Sequence, residues 1–144
     1  MAMNPIVRNT LAVIAGFVAG SLVNITLVNI GPSIVPLPEG ADVSTPESLA
    51  ASMQLFTPIN FLFPFLAHAL GTLVGAFVTA KLAASHKMKL ALLIGVITLV
   101  GGIAAVKMFG GPLWFIITDL VLAYIPMAYL GAILAGGSRS GRAD

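Results

Sequence analysis

Residues 90–108 read LALLIGVITLVGGIAAVKM, and this stretch decides the fold. No charged residue stands between Lys89 and Lys107. A helix that crosses a bilayer needs about 20 mostly apolar residues, because each residue rises about 1.5 Å and the hydrocarbon layer is about 30 Å thick. Backbone polar groups inside lipid must bond to one another, so an apolar run of this length is read as a helix.

Three further runs have the same character, at about 10–30, 60–82 and 113–134. The composition agrees. Of 144 residues, 58% are hydrophobic and 8% are charged. Soluble globular chains carry roughly 25% charged residues, so this chain cannot clothe itself in a polar surface, and the lipid bilayer is its expected partner. The reading is an all-α, polytopic membrane protein: a single membrane domain over 1–144, built as a bundle of four transmembrane helices. The first run is longer than the roughly 7–15 apolar residues of a secretion signal and is read as a retained anchor. The tail 136–144 is small and polar and is expected to be disordered.

The connections carry the topology. Arg8 precedes the first run; Lys81, Lys87 and Lys89 surround the turn between the second and third; Arg139 and Arg142 lie in the tail. The loop 31–59 holds Glu39, Asp42 and Glu47 and neither Lys nor Arg. Basic residues mark the cytoplasmic side, which predicts both termini inside and the acidic loop outside. Lys107, at the third connection, votes weakly the other way. Phe56, Phe61, Phe109 and Trp114 all fall at the outer ends of the runs, where aromatic rings suit the interface.

Within the acidic loop, Thr45-Pro46-Glu47 starts a helix: Thr as N-cap, Pro in the first turn, an acid beside the dipole. Leu49, Met53 and Phe56 follow at helical spacing, and Pro58 stops the segment. A short amphipathic helix on the outer surface is expected there. Gly31-Pro32 and Pro36-Leu37-Pro38 are expected to break the chain upstream.

Small residues recur in stripes: Gly16, Gly20 and Asn24; then Pro64, His68, Gly71, Gly75 and Thr79; then Ala91, Gly95, Thr98 and Gly102. Such stripes let helix backbones approach closely. Packing within one chain is one reading; a homo-oligomer is the other, since four helices have few internal faces.

Only two ionisable residues fall well inside the runs, His68 and Asp119. At 1.5 Å per residue, His68 lies roughly 12 Å in from the outer side, and Asp119 and Asn24 roughly 9 Å. Three polar residues on three helices share one level, with Gly101 and Gly102 leaving space beside them. A charged Asp in hydrocarbon costs about 2.5–3.5 kcal/mol, so it calls for a partner, and intramembrane ionisable residues are functional candidates. His68, Asp119 and Asn24 are therefore the candidate ligand- or proton-binding site; a hydrogen-bonded staple between helices is the competing reading. Tyr124 lies deep enough to need a hydroxyl partner, and Pro126 is expected to kink the last helix. Thr26, Thr72, Thr98 and Thr118 are expected to bond their own helices. His86 reads as solvated.

The chain has no cysteine, which excludes disulfides, thiolate metal sites and thiol catalysis. H-E-x-x-H, G-x-S-x-G, Walker and G-x-G-x-x-G patterns are missing, so no catalytic residue, metal or cofactor is assigned. Asn24-Ile25-Thr26 matches a glycosylation site but lies inside a span. A net charge of +2 with a few basic residues at helix ends is no nucleic-acid footprint.

Pro38-Glu39-Gly40-Ala41-Asp42 together with 63–71, FPFLAHALG, resembles short four-helix inner-membrane proteins of bacteria. The resemblance implies a bacterial inner-membrane setting and no activity. Three functions stay open on the residues: a small transporter or channel subunit with an outward-facing polar site, a non-catalytic accessory or assembly protein, and a membrane enzyme acting on a lipid-like substrate through His68 and Asp119.

Overall fold

The computed structural model describes residues 3–137, and among them every regular element is a helix. The elements are α1 (Pro5–Ile34), α2 (Pro46–Ser52), α3 (Leu62–Leu82), α4 (Lys87–Phe109), α5 (Leu113–Leu122) and α6 (Ile125–Leu134), with 3-10 turns at Met53–Leu55 and Pro58–Phe61. Pro5–Ile34, Pro58–Leu82, Lys87–Phe109 and Leu113–Leu134 are each long and apolar enough to cross a membrane, so this is a four-helix, multi-pass membrane protein. The part of the tail beyond residue 137 lies outside the described residues.

Helix α3 is the hub, packed against α1, α4 and α6. The α1–α3 seam is close. A Cβ on Gly20 would stand 2.5 Å from the Gly71 carbonyl oxygen, and one on Gly71 would stand 2.9 Å from the Gly20 oxygen. Thr79 donates to the Ala12 carbonyl at 3.3 Å across the same seam. The second seam joins α4 to α6, where Gly95 receives Ala128. Between α3, α4 and α6 the core is alanine-rich: Ala76, Ala80, Ala91, Ala128 and Ala132 are all fully buried around Ile94. Small residues replace large ones because lipid supplies no hydrophobic drive for helix association, and close backbone contact must supply dispersion energy instead. These glycines are thus spent on packing within one chain.

Two expected boundaries move. Helix α1 starts at Pro5, capped by the Asn4 side chain accepting from the Ile6 amide at 2.8 Å, and it runs through Gly31-Pro32 instead of breaking there. Pro32 sits in the last turn, so only the Val28 carbonyl loses its partner, and the Val35 amide closes the end on Gly31 at 2.8 Å. The last span divides into α5 and α6, a full break where a kink was expected.

Each end of the bundle is tied by polar side chains. At the basic end, Asn9 accepts from the Ala84 amide at 2.8 Å and the Ser85 amide at 3.3 Å, and donates to Ser85 Oγ at 3.0 Å. Arg8 donates to the Leu82 carbonyl at 2.8 Å, so it serves the end of α3. Asn9→Ala strips three bonds from the α3–α4 turn. It is expected to cost about 1 kcal/mol, the scale of a lost cap, and to raise amide exchange at Ala84 and Ser85 above that of Ala83.

At the acidic end, α2 starts as expected, with Thr45 Oγ1 accepting from the Ser48 amide at 3.1 Å, but it ends at Ser52: Met53–Leu55 tightens to a 3-10 turn and Phe56 is extended, so the helical run expected as far as Phe56 is cut short. Ser52 clasps the Asp42 backbone through two bonds of 2.8 and 2.9 Å. Hydrogen bonds from Ser44 hold the Asp42 carboxyl below its usual 3.8. Phe61 gathers Phe56, Trp114 and Phe115 at ring separations of 5.6, 5.6 and 4.6 Å, closing this end with an aromatic cluster.

Candidate functional site

His68 stands on α3, Asp119 on α5, and Tyr124 in the gap between α5 and α6. Pro126 creates that gap. It has no N–H for the Leu122 carbonyl, and its ring crowds the preceding turn, so α5 stops and α6 begins again at Ile125. Tyr124 takes φ −114° and ψ −82°, well outside the helical region. The consequence is chemical. In an unbroken helix, residues five apart point roughly 140° away from each other. With the break, Tyr124 swings back, and its hydroxyl donates to Asp119 Oδ2 at 2.9 Å.

His68 completes the group. Its Nδ1 lies 2.8 Å from Asp119 Oδ1 and 3.0 Å from Oδ2, the arrangement of one N–H shared by both oxygens of a carboxylate. The Tyr124 ring stacks on the imidazole with centroids 5.7 Å apart and planes at 30°. Asp119 and Tyr124 are each 2% exposed, whereas the His68 side chain keeps 25% of its surface. Burial is affordable for Asp119 because its oxygens are satisfied, and no buried side-chain nitrogen or oxygen among the described residues lacks a partner.

The surface His68 retains faces a cavity of about 460 Å³ between α1 and α4, floored by α3. Asn24, Thr72, Thr98 and Gly101 line it as well, and Phe17 and Ile97 form its apolar lips. With Nδ1 engaged by Asp119, the nitrogen left to serve the cavity is Nε2. It accepts a hydrogen bond when the ring is neutral and donates one when the ring is charged. The ring is oriented by a buried acid, stiffened by a stacked tyrosine and open on one edge. Among the described residues, no three His, Asp or Glu side chains gather closely enough to hold a metal ion.

The three candidates from the sequence thus divide. His68 and Asp119 are bonded to one another. Asn24 joins them only through the cavity wall, with its Cβ against Gly71. Gly101 leaves open space as expected; Gly102 does not, because the Tyr124 hydroxyl occupies the place a Cβ would take. Thr98 bonds its own helix, at 2.9 Å to the Ile94 carbonyl, but Thr72 donates across to Thr98 at 3.2 Å and ties α3 to α4. Thr118 bonds its own helix, at 2.8 Å to the Trp114 carbonyl. The sequence flagged Tyr124 as needing a hydroxyl partner without naming one; the partner is Asp119. No protein-family model, curated protein or solved structure matches the chain.

Proposed function

We propose that this chain is a multi-pass protein of the bacterial inner membrane with both termini in the cytoplasm, and a subunit of a small transporter or channel that holds its ligand or proton at His68, Asp119 and Asn24. The orientation rests on the basic residues at one end of the bundle and the acidic loop at the other. One observation carries the functional reading: the imidazole is fixed from behind by Asp119 and Tyr124, yet keeps an open edge on a cavity it shares with Asn24. A pair serving only to staple helices needs no such edge, and an accessory protein needs no such cavity.

The lateral position of the cavity, between two helices, favours one second reading, an enzyme acting on a lipid-like substrate. A base with an orienting acid is present. Against it, His68 hydrogen-bonds only Asp119 among the described residues, so no hydroxyl is activated by the ring.

Chemical labelling tests the site. His86→Ala leaves His68 as the sole histidine. Diethyl pyrocarbonate is expected to carbethoxylate His68 in folded protein reconstituted in liposomes, as read by mass spectrometry. Labelling only after unfolding in detergent would leave the staple as the role of the pair. In the same liposomes, proton uptake driven by a potassium diffusion potential is expected to exceed that of protein-free vesicles and to vanish in His68→Ala; equal uptake removes the proton-channel form of the reading.

A further inference from the structure

We infer that the occupant of the α1–α4 cavity is an uncharged amphiphile: a hydroxyl-headed lipid or long-chain alcohol that enters sideways from the bilayer. The inference rests on the reading of the cavity as a binding site and adds the class of ligand.

Position comes first. The cavity is a groove in the side of the bundle, and the residues along its lips are exposed where lipid chains run: Phe17 at 47%, Ile25 at 57% and Ile97 at 37%. A molecule already dissolved in the bilayer reaches it without crossing the polar loops. At about 460 Å³ the groove falls in the range of small-molecule sites, far larger than one ion or water requires.

The lining is graded along the groove. His68 and Asn24 stand at its end nearer the acidic loop. Ser21, Thr72 and Thr98 come about one turn deeper, and the far end is apolar, with Ile94 and with Phe17 roughly 10 Å beyond Asn24 along α1, at 1.5 Å per residue. A ligand matched to this wall has a polar head at one end and a hydrocarbon body at the other.

Charge decides the head. Lys, Arg, Asp and Glu contribute nothing to the lining. Asp119 is buried behind His68, with its oxygens engaged by the imidazole and by Tyr124. Any positive charge on the ring is therefore already compensated. A carboxylate or phosphate head would meet no unpaired cation, and an ammonium head no free anion; in this low-dielectric setting each would lose its hydration without replacement. A hydroxyl fits both protonation states of the ring. It donates to Nε2 of the neutral imidazole and accepts from Nε2–H of the charged one. The Asn24 amide can donate to or accept from the same oxygen.

The test uses the labelling assay with three probes that share one chain: dodecanol, dodecanoate and dodecyltrimethylammonium. In the wild type, exposed His86 serves as the reference within each sample. Dodecanol is expected to slow carbethoxylation of His68 about tenfold when its concentration is roughly ten times its Kd, by simple mass action, and to leave His86 unchanged. The charged probes are expected to protect little. Asn24→Leu should weaken the protection. Gly101→Leu should plug the groove and abolish it without distorting the fold, since a Cβ there meets nothing within 4 Å. Protection by either charged probe equal to that by dodecanol overturns the inference. So does labelling of His68 that no probe slows, a result that leaves the binding-site reading standing. Failure to label His68 in folded protein takes both down together.

Discussion

Asp119→Ala is expected to destabilise the folded bundle by about 2–3 kcal/mol. It removes the acceptor of two side-chain donors, His68 Nδ1 and the Tyr124 hydroxyl, and leaves a small void beside them. Side-chain hydrogen bonds inside membranes measure about 0.6 kcal/mol on average and up to about 1.7, because the unpacked helices also find partners. Two such bonds plus a void reach the stated range. Loss of a buried ion pair in a soluble protein costs about 3–5 kcal/mol; the smaller figure applies here because side-chain pairs between membrane helices are worth less. Asp119→Asn keeps the shape and an acceptor oxygen, and should lose less than about 1 kcal/mol. Combined with His68→Ala, Asp119→Ala should be non-additive by about 1 kcal/mol, as for residues in direct contact. Unfolding by dodecyl sulfate, followed by circular dichroism, gives all these values. Additive and negligible effects would show that the contact bears no weight in the fold.

A larger loss, about 3 kcal/mol or more, is expected for Gly20→Val. Overpacking costs about 1–3 kcal/mol where neighbouring side chains can shift. At Gly20 the obstacles are the Gly71 carbonyl oxygen at 2.5 Å and the Gly75 Cα at 3.3 Å, both backbone, so nothing local can yield. Helix α1 must lift from α3. Because each helix is apolar enough to remain inserted, helicity should persist while the bundle loosens. The signature is therefore an early unfolding midpoint with unchanged ellipticity in the folded baseline. As α1 is one wall of the groove, labelling of His68 should rise and its protection by dodecanol should fall. Gly101→Ala, on the open side of α4, is the control and should leave stability within about 0.5 kcal/mol of wild type. A Gly20→Val protein as stable as wild type would mean that the α1–α3 seam is not as tight as described.

The spans were legible because lipid imposes one crude demand, a long run of apolar residues, and composition alone meets or fails it. The start of α2 was legible for a local reason: Thr45 caps the first turn, Pro46 suits its first position and Glu47 its dipole, and the structure adds Ser48 as the donor to Thr45 Oγ1. The level of His68 and Asp119 could be counted along the helices, since rise per residue is constant. Their contact could not, because depth says nothing about which way a helix is turned.

Tyr124 shows the limit most plainly. Its distance in sequence from Asp119 places it on another face of any regular helix, and only the break at Pro126 returns it to the carboxylate. Gly101 and Gly102 show it again. They are neighbours of the same type, yet one opens the groove and the other is filled by the Tyr124 hydroxyl, because successive residues on a helix face about 100° apart. What the sequence alone determined is what depends on order and hydropathy along one dimension: four helical spans, the cap that starts α2, and which residues are costly to place in lipid. What only the tertiary structure decided is what those costly residues do. Rotation about each helix axis is set by close contact between small residues on facing helices, and that rotation turns His68 toward Asp119 on one side and toward an open groove on the other.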